Sequence, residues 1–286
     1  MDVALANGLF LRSAGPPAGR TLLFIHAFAD CGLAFTPLFD TPLAEHFRLV
    51  AIDLAGFGAS PRQDDVLTIA QHAETIVAFA RSLPAPGPVG LVAHSVGSMI
   101  AVEAAPQLGE LFGGLFSIEG NLTAADAYFS GRAAEFDDAC LFKRRFLDGI
   151  WSMAQMESSL RRYFATAVLA DPVALWQLGR DARRMSIGDA PGQAYRRIRP
   201  SLYYWSPANT AETTSRWIAD SDFDRQQFAN AGHWPTLDQP NETARAIAAF
   251  FDVMWAIRSG GSSRSHARSK SPGPLPPQRM GERTER

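Results

Sequence analysis

The chain has 286 residues, of which 47% are hydrophobic and 20% are charged, enough apolar material for the core of one soluble domain. Its formal net charge of −2 gives no indication of nucleic-acid binding, and no stretch approaches the roughly 20 apolar residues that span a bilayer. The N-terminus lacks the pattern of a secretory signal, and Cys31 and Cys140 lack a paired spacing. We therefore expect a cytoplasmic protein with reduced, buried thiols and no membrane or nucleic-acid partner.

Apolar runs bounded by turn residues alternate with amphipathic segments along most of the chain. An edge strand is predicted at 3–12, and core strands are predicted at 21–25, 47–52, 89–93, 115–118, 201–205 and 225–228. Helices are predicted at 68–82, 98–105, 211–219 and 242–258, and helix-like spacing at 33–46 is interrupted by two prolines. Strands that alternate with helices form βαβ units, so we predict an α/β fold with a mostly parallel, doubly wound sheet.

Two segments depart from this alternation. Residues 122–198 are helical in pattern, rich in aromatic residues and arginine, and separate two predicted strands. Residues 259–286 are rich in Ser, Gly, Pro and Arg and have almost no apolar side chains, a composition typical of a disordered, solvated tail. The predicted core therefore consists of 1–121 and 199–258, with 122–198 as a helical insertion.

Residues 89–105, VGLVAHSVGSMIAVEAA, combine a buried strand, a sharp turn with Ser95 at its centre, and a helix. This order is typical of a nucleophile elbow, in which the turn holds the serine hydroxyl clear of the backbone at the end of a sheet. Strand and helix approach closely there, so the residues two before and two after the serine must be small. Ala93 and Gly97 satisfy that requirement, although the usual pattern has glycine at both places.

Several residues with chemically useful side chains follow directly after predicted strands. They are His26, Asp53, Ser95, Glu119, Asn209 and His233. Ligands of parallel α/β sheets bind at the carboxyl ends of the strands, so we expect these residues to meet at one edge.

A serine hydroxyl is a weak nucleophile and requires a base to take its proton. His233 is the best candidate base, because it follows the last strand in a glycine-flanked loop and imidazole titrates near neutral pH. His94 adjoins Ser95 and is predicted to form part of the pocket wall, whereas His26 is predicted to brace loops by hydrogen bonding. Phosphate-loop and zinc-binding motifs are absent from the sequence, so we expect no cofactor and no metal.

Four segments together resemble the α/β-hydrolase fold family in order and spacing: IHAFAD at 25–30, DLAGFGASP at 53–61, VAHSVG at 92–97 and AGHWP at 231–235. The resemblance covers roughly residues 3–258. It implies that Ser95 is the nucleophile and His233 the base, and that 122–198 is a helical cap. It also implies an oxyanion hole formed by the backbone N–H groups of Val96 and Phe28.

The acid of the triad is the least obvious assignment. The usual family position lies after the strand that follows the cap, where this sequence reads WSPAN at 205–209, with Asn209 in place of Asp. An amide cannot hold a negative charge beside an imidazolium, so a substitute is required. Glu119 closes the strand after the elbow helix, a position that some α/β-hydrolases use, and it is the leading candidate. Its rivals are Asp220, Asp222 and Asp224.

The sequence therefore predicts a serine hydrolase that cleaves a small ester-type substrate through a Ser95–His233–Glu119 triad and an acyl-enzyme. Thioester, lactone, amide or C–C bond cleavage would use the same residues. His94 and Trp234 are expected to contact a small-molecule substrate, and the protein is expected to be a monomer or homodimer. The alternative is a ligand-binding or scaffolding homologue with little activity, which the unusual Ala27 and Ala93 and the displaced acid would fit.

Overall fold

The computed structural model describes residues 1–83, 87–155 and 157–259, and its centre is an eight-stranded sheet. The strands are β1 (Asp2–Ala6), β2 (Leu9–Ala14), β3 (Arg20–Ile25), β4 (Phe47–Ile52), β5 (Val89–His94), β6 (Phe112–Ile118), β7 (Ser201–Trp205) and β8 (Arg225–Gln227). Their spatial order is β1-β2-β4-β3-β5-β6-β7-β8. The β1–β2 and β2–β4 pairs are antiparallel and every other pair is parallel, which confirms the predicted mostly parallel sheet.

Helices cover both faces of the sheet. The α-helices are α1 (Leu43–His46), α2 (Ile69–Ser82), α3 (Val96–Leu108), α4 (Ala139–Ala154), α5 (Ser158–Ala167), α6 (Pro172–Met185), α7 (Ala190–Tyr195), α8 (Glu212–Ala219), α9 (Pro235–Asp238) and α10 (Pro240–Ser259). Short 3-10 helices are Gly32–Asp40, Gly109–Leu111, Ala124–Ala127, Ser130–Glu135 and Ile187–Asp189. Polar side chains cap the N-termini of several helices. At the start of α2, for example, the Thr68 hydroxyl accepts a hydrogen bond from the Gln71 N–H.

Alternate residues of the central strands enter two hydrophobic cores, one on each face. Leu23 lies opposite Leu91 on one face, and Phe24 lies opposite Val92 on the other. Helices α2 and α3 pack on the first face, and α10 packs on the second. Strands buried on both faces therefore have the continuous apolar sequences from which they were predicted.

Three sequence expectations differ from the structure in detail. The edge strand predicted at 3–12 is two antiparallel strands, because Asn7 and Gly8 both have positive φ and form a hairpin turn. The helical pattern at 33–46 is mostly 3-10 helix with Pro37 inside it. Cys140, which was expected to be buried, is exposed because it lies off the buried stripe of α4.

Helices α4 to α7, with three of the 3-10 helices, lie between β6 and β7, where the helical insertion was predicted. Residue 260 onwards, almost all of the predicted tail, lies outside the described residues. Within the described part of the chain, the helices are too short or too polar to cross a membrane.

A buried histidine makes the stability of the fold depend on pH. His72 lies on the inner face of α2, and burial lowers its pKa to about 3 from 6.5. Its neutral form therefore stabilises the fold fully above pH 6.5, and stability falls as pH decreases towards 3 because the unfolded chain binds the proton more readily.

We expect urea unfolding to show a shallower loss of stability in His72→Leu than in the wild type between pH 6.5 and about 4.5. The difference in pH-dependent loss is expected to be about 2 kcal/mol, since one proton contributes up to roughly 1.4 kcal/mol per pH unit. Equal pH dependence of the two proteins would contradict this prediction.

Candidate active site

The turn between β5 and α3 has the geometry of a nucleophile elbow. Ser95 has φ 53° and ψ −125°, an unfavourable conformation for a residue with a side chain. Its N–H donates to Ile118 O at 3.0 Å. A Cβ atom on Gly97 would lie 2.6 Å from the carbonyl oxygens of Ile25 and His26, which explains the requirement for glycine at that place. Ser95 follows the carboxyl end of β5 and lines a cavity there.

Glu119 and His233 form a hydrogen-bonded pair beside Ser95. Their contact is 2.7 Å between Glu119 Oε2 and His233 Nδ1, and a carboxylate acceptor requires that Nδ1 carry the proton. Glu119 is almost completely buried at the end of β6, with a positive φ of 44°. In a neutral imidazole held this way, Nε2 is the acceptor nitrogen, which is the form that a general base requires.

The Ser95 hydroxyl donates to Asn121 Oδ1 at 3.4 Å, and within the described residues it has no hydrogen bond to His233. Asn121 is buried and follows Glu119 by two residues. Hydrogen bonds hold the backbone on either side of Asn121: the Tyr203 hydroxyl donates to Gly120 O at 2.7 Å, and the Leu122 N–H donates to Asp126 Oδ2 at 2.8 Å.

A cavity of about 330 Å³ opens above these residues. The sheet core contributes Phe28, Ser95, Val96, Glu119, His233 and Trp234 to its wall, and the helical insertion contributes Tyr128, Phe129, Leu160 and Tyr163 among others. A mainly apolar cavity with a few convergent polar groups is typical of a small-molecule site.

The loop after β3 carries the second expected oxyanion donor, Phe28. The Asp30 N–H donates to Ala27 O at 3.2 Å, and Ala29 has the positive φ of the turn, 57°. Ala27 is not among the positive-φ residues, so its Cβ is accommodated without strain. Phe28 and Val96 both line the cavity, and Val96 is the first residue of α3, where the N–H has no partner within the helix.

Side chains distant in sequence hold this loop. The Tyr163 hydroxyl, from α5, donates to Phe28 O at 2.8 Å. Trp234 Nε1–H donates to Asp30 Oδ2 at 3.0 Å, and the Cys31 N–H donates to Asp30 Oδ1 at 2.8 Å. Burial raises the pKa of the Asp30 carboxyl from its usual value. Tyr163 was not predicted from the sequence, because no local motif distinguishes it among the many aromatic residues of the insertion.

His26 and Asp53 brace loops below the cavity. His26 Nε2 accepts from the Leu54 N–H at 2.9 Å and Nδ1 contacts Ala27 O at 2.8 Å, while burial lowers the pKa of the ring. Asp53 forms a buried ion pair with Arg12 and accepts from the N–H groups of Gly32 and Ala59. Both residues therefore make structural contacts, as the sequence predicted for His26.

Of the two residues that were expected to contact a substrate, Trp234 lies in the cavity wall and His94 does not. Trp234 lines the cavity and packs against Tyr163, with ring centroids 4.9 Å apart. His94 is fully buried beneath His233, with ring centroids 4.6 Å apart, and it does not line the cavity. Its backbone ends β5, which directs the side chain into the protein interior, and burial keeps the pKa of the ring well below its usual value.

The three rival acids lie at the other end of β8 from His233. Asp220, Asp222 and Asp224 are exposed and precede the strand, whereas His233 follows it. The hydrogen bond from His233 Nδ1 goes to Glu119. Within the described residues, no group of three or more His, Cys, Asp and Glu side chains is arranged to hold a metal ion.

Curated relatives match part of the chain. It is 37% identical over 91 residues to the probable lysophospholipase BODYGUARD 4 of Arabidopsis thaliana, and 34% identical over 113 residues to BODYGUARD 3 of the same plant. These alignments cover 30% and 37% of this chain but only 21% and 22% of the relatives, so the chain matches about a fifth of their length.

Solved structures show the same fold over most of the chain. An esterase from Thermogutta terrifontis has a TM-score of 0.65 at 17% identity, covering 86% of this chain and 93% of that one. E-2-(acetamidomethylene)succinate hydrolase has a TM-score of 0.65 at 23% identity, with coverages of 85% and 95%. The N-acyl homoserine lactonase AidH has a TM-score of 0.67 at 16% identity, with coverages of 93% and 99%.

The family model described as the alpha/beta hydrolase family matches residues 22–246, from β3 into α10. This match spans the elbow, the helical insertion and the loop that carries His233. The chain belongs to the alpha/beta hydrolase family.

Proposed function

We propose that the protein is a serine hydrolase that cleaves a small ester-type substrate through an acyl-enzyme. The observation that carries the proposal is the 2.7 Å contact between Glu119 and His233 beside Ser95 in one cavity. An imidazole held by a carboxylate next to a serine on a strained turn is the arrangement that activates a hydroxyl for acyl transfer. Structural neighbours described as an esterase and a lactonase support this reaction class.

The reaction begins when the Ser95 side chain turns from Asn121 towards His233 Nε2, which takes its proton. Ser95 Oγ then attacks the substrate carbonyl carbon, and the N–H groups of Val96 and Phe28 stabilise the oxyanion. His233 returns the proton to the leaving oxygen, so the alcohol departs and an acyl-enzyme remains. A water molecule deprotonated by the same His233 attacks this ester, and the acid is released as Ser95 recovers its proton.

The helical insertion is assigned the role of a cap that defines the acyl or alcohol pocket. Its aromatic residues form one wall of the cavity, and Trp234 forms part of another. A cavity of about 330 Å³ is suited to a small substrate. The neighbours act on different molecules, so the particular ester is to be identified by screening.

The proposal is tested with a fluorophosphonate probe and a series of p-nitrophenyl esters of increasing chain length. We expect a covalent adduct on Ser95, no adduct in Ser95→Ala, and hydrolysis that depends on chain length. Wild-type protein that is folded but neither labelled nor active would contradict the proposal and favour the ligand-binding alternative.

A further inference from the structure

Asn209 occupies the family's usual acid position, in the loop after β7, and its side chain contacts Glu119 and the loop that carries His233. Its Nδ2 atom lies 3.2 Å from Glu119 Oε1 and 3.2 Å from the carbonyl oxygen of Ala231. An amide NH₂ has two hydrogens, so both contacts are hydrogen bonds that Asn209 donates.

These bonds restrain the carboxylate of Glu119. One of its oxygens, Oε1, accepts from Asn209 and from the Ser206 N–H at 3.0 Å. The other, Oε2, is left for His233 Nδ1 at 2.7 Å. Two donors on a single oxygen fix the plane of a buried carboxylate, which directs the remaining oxygen at the imidazole.

The second bond restrains the base. Ala231 precedes His233 by two residues in the loop after β8, whereas Glu119 follows β6. Strand β7 lies between β6 and β8 in the sheet. A side chain after the middle strand therefore sets the separation between the loops on either side of it.

We propose that Asn209 is a positioning residue of the triad, which holds Glu119 and the His233 loop in register by donating both hydrogens of its amide. This inference rests on the proposed serine hydrolase function. This role requires an amide at position 209 while Glu119 is the carboxylate. An aspartate at 209 would have no hydrogen to donate and would face Glu119 as a like charge.

The test measures kcat and KM for p-nitrophenyl butanoate and the rate of fluorophosphonate labelling of Ser95. The test variant is Asn209→Leu, with its unfolding midpoint recorded beside that of the wild type. Gln239→Leu is the matched control, because Gln239 Nε2 donates at 3.0 Å to the carbonyl of Asn230, the neighbour of Ala231, and does not contact Glu119.

We expect Asn209→Leu to lower kcat and the labelling rate at least about tenfold with KM nearly unchanged, since it removes a hydrogen bond to a charged group. Gln239→Leu is expected to stay within about twofold of the wild type. Equal effects of Asn209→Leu and Gln239→Leu would overturn the proposal.

A nuclear magnetic resonance measurement separates this inference from the proposed function. The low-field proton of His233 Nδ1, identified by its loss in His233→Ala, reports the bond to Glu119 without any substrate. We expect Asn209→Leu to shift or broaden this signal and Gln239→Leu to leave it in place. An inactive, unlabelled wild type would overturn the proposed function alone, whereas an unchanged signal in Asn209→Leu would overturn the positioning role.

Discussion

Replacing Glu119 by Gln is expected to lower kcat by about 10⁴-fold, the size of the loss when an amide replaces the acid of a serine-protease triad. A neutral amide cannot stabilise the imidazolium that the proposed mechanism forms on His233. If its NH₂ group faces Nδ1, it also favours the tautomer whose Nε2 carries a hydrogen and cannot act as base. The measurement is steady-state hydrolysis of the best p-nitrophenyl ester, together with an unfolding curve that shows the variant is folded.

The controls for this prediction are Asp220→Asn, Asp222→Asn and Asp224→Asn. These exposed carboxylates lie before β8, so each variant is expected to retain activity within about twofold of the wild type. Near-normal turnover in Glu119→Gln, with a large loss in one of the Asp variants, would transfer the role of the acid to that residue.

Replacing Arg12 by Met is expected to lower the free energy of unfolding by about 3–5 kcal/mol. Arg12 Nη1 lies 2.6 Å from Asp53 Oδ1, and Nη2 lies 3.3 Å from Oδ2, in a pair almost completely removed from solvent. Removing the guanidinium leaves the carboxylate buried without its countercharge. Two backbone N–H groups still donate to it, from Gly32 at 2.7 Å and Ala59 at 2.8 Å.

The matched control for this prediction is Arg20→Met. Arg20 pairs with Asp252 at 2.8 Å, but both side chains are about half exposed. Exposed ion pairs contribute about 0–1 kcal/mol, so the control variant is expected to lose less than about 1 kcal/mol. Urea unfolding of both variants at neutral pH measures the loss of unfolding free energy in each. Equal losses would contradict the expectation that burial increases the cost of breaking the Arg12 pair.

Local sequence identified the framework of the site with little error. The predicted strands 47–52 and 201–205 have the bounds of β4 and β7, because short apolar runs between turn residues are a local signal. Ser95 was identified in the same way, since the small residues around it are required by the contact of strand and helix. Because position 209 has Asn where the family usually has Asp, Glu119 was predicted to be the acid. In the structure Glu119 contacts His233.

Other features depend on contacts between residues remote in sequence and could not be predicted. Tyr163 reaches Phe28 across 135 residues, and Asn209 reaches Glu119 across 90. His94 was expected in the pocket wall, but the direction of its side chain depends on how β5 enters the core. The sequence has no periodicity or spacing that encodes such distances.

The sequence by itself determined the α/β fold, the serine at the elbow and the histidine after the last strand. Each of these is set by residue types that neighbour one another along the chain. Only the tertiary structure decided that Asn209 donates to Glu119, that Asp53 pairs with Arg12, and that an insertion residue holds the Phe28 loop. These interactions arise when parallel strands bring their carboxyl ends together, because that packing sets the distances over which hydrogen bonds and charges act.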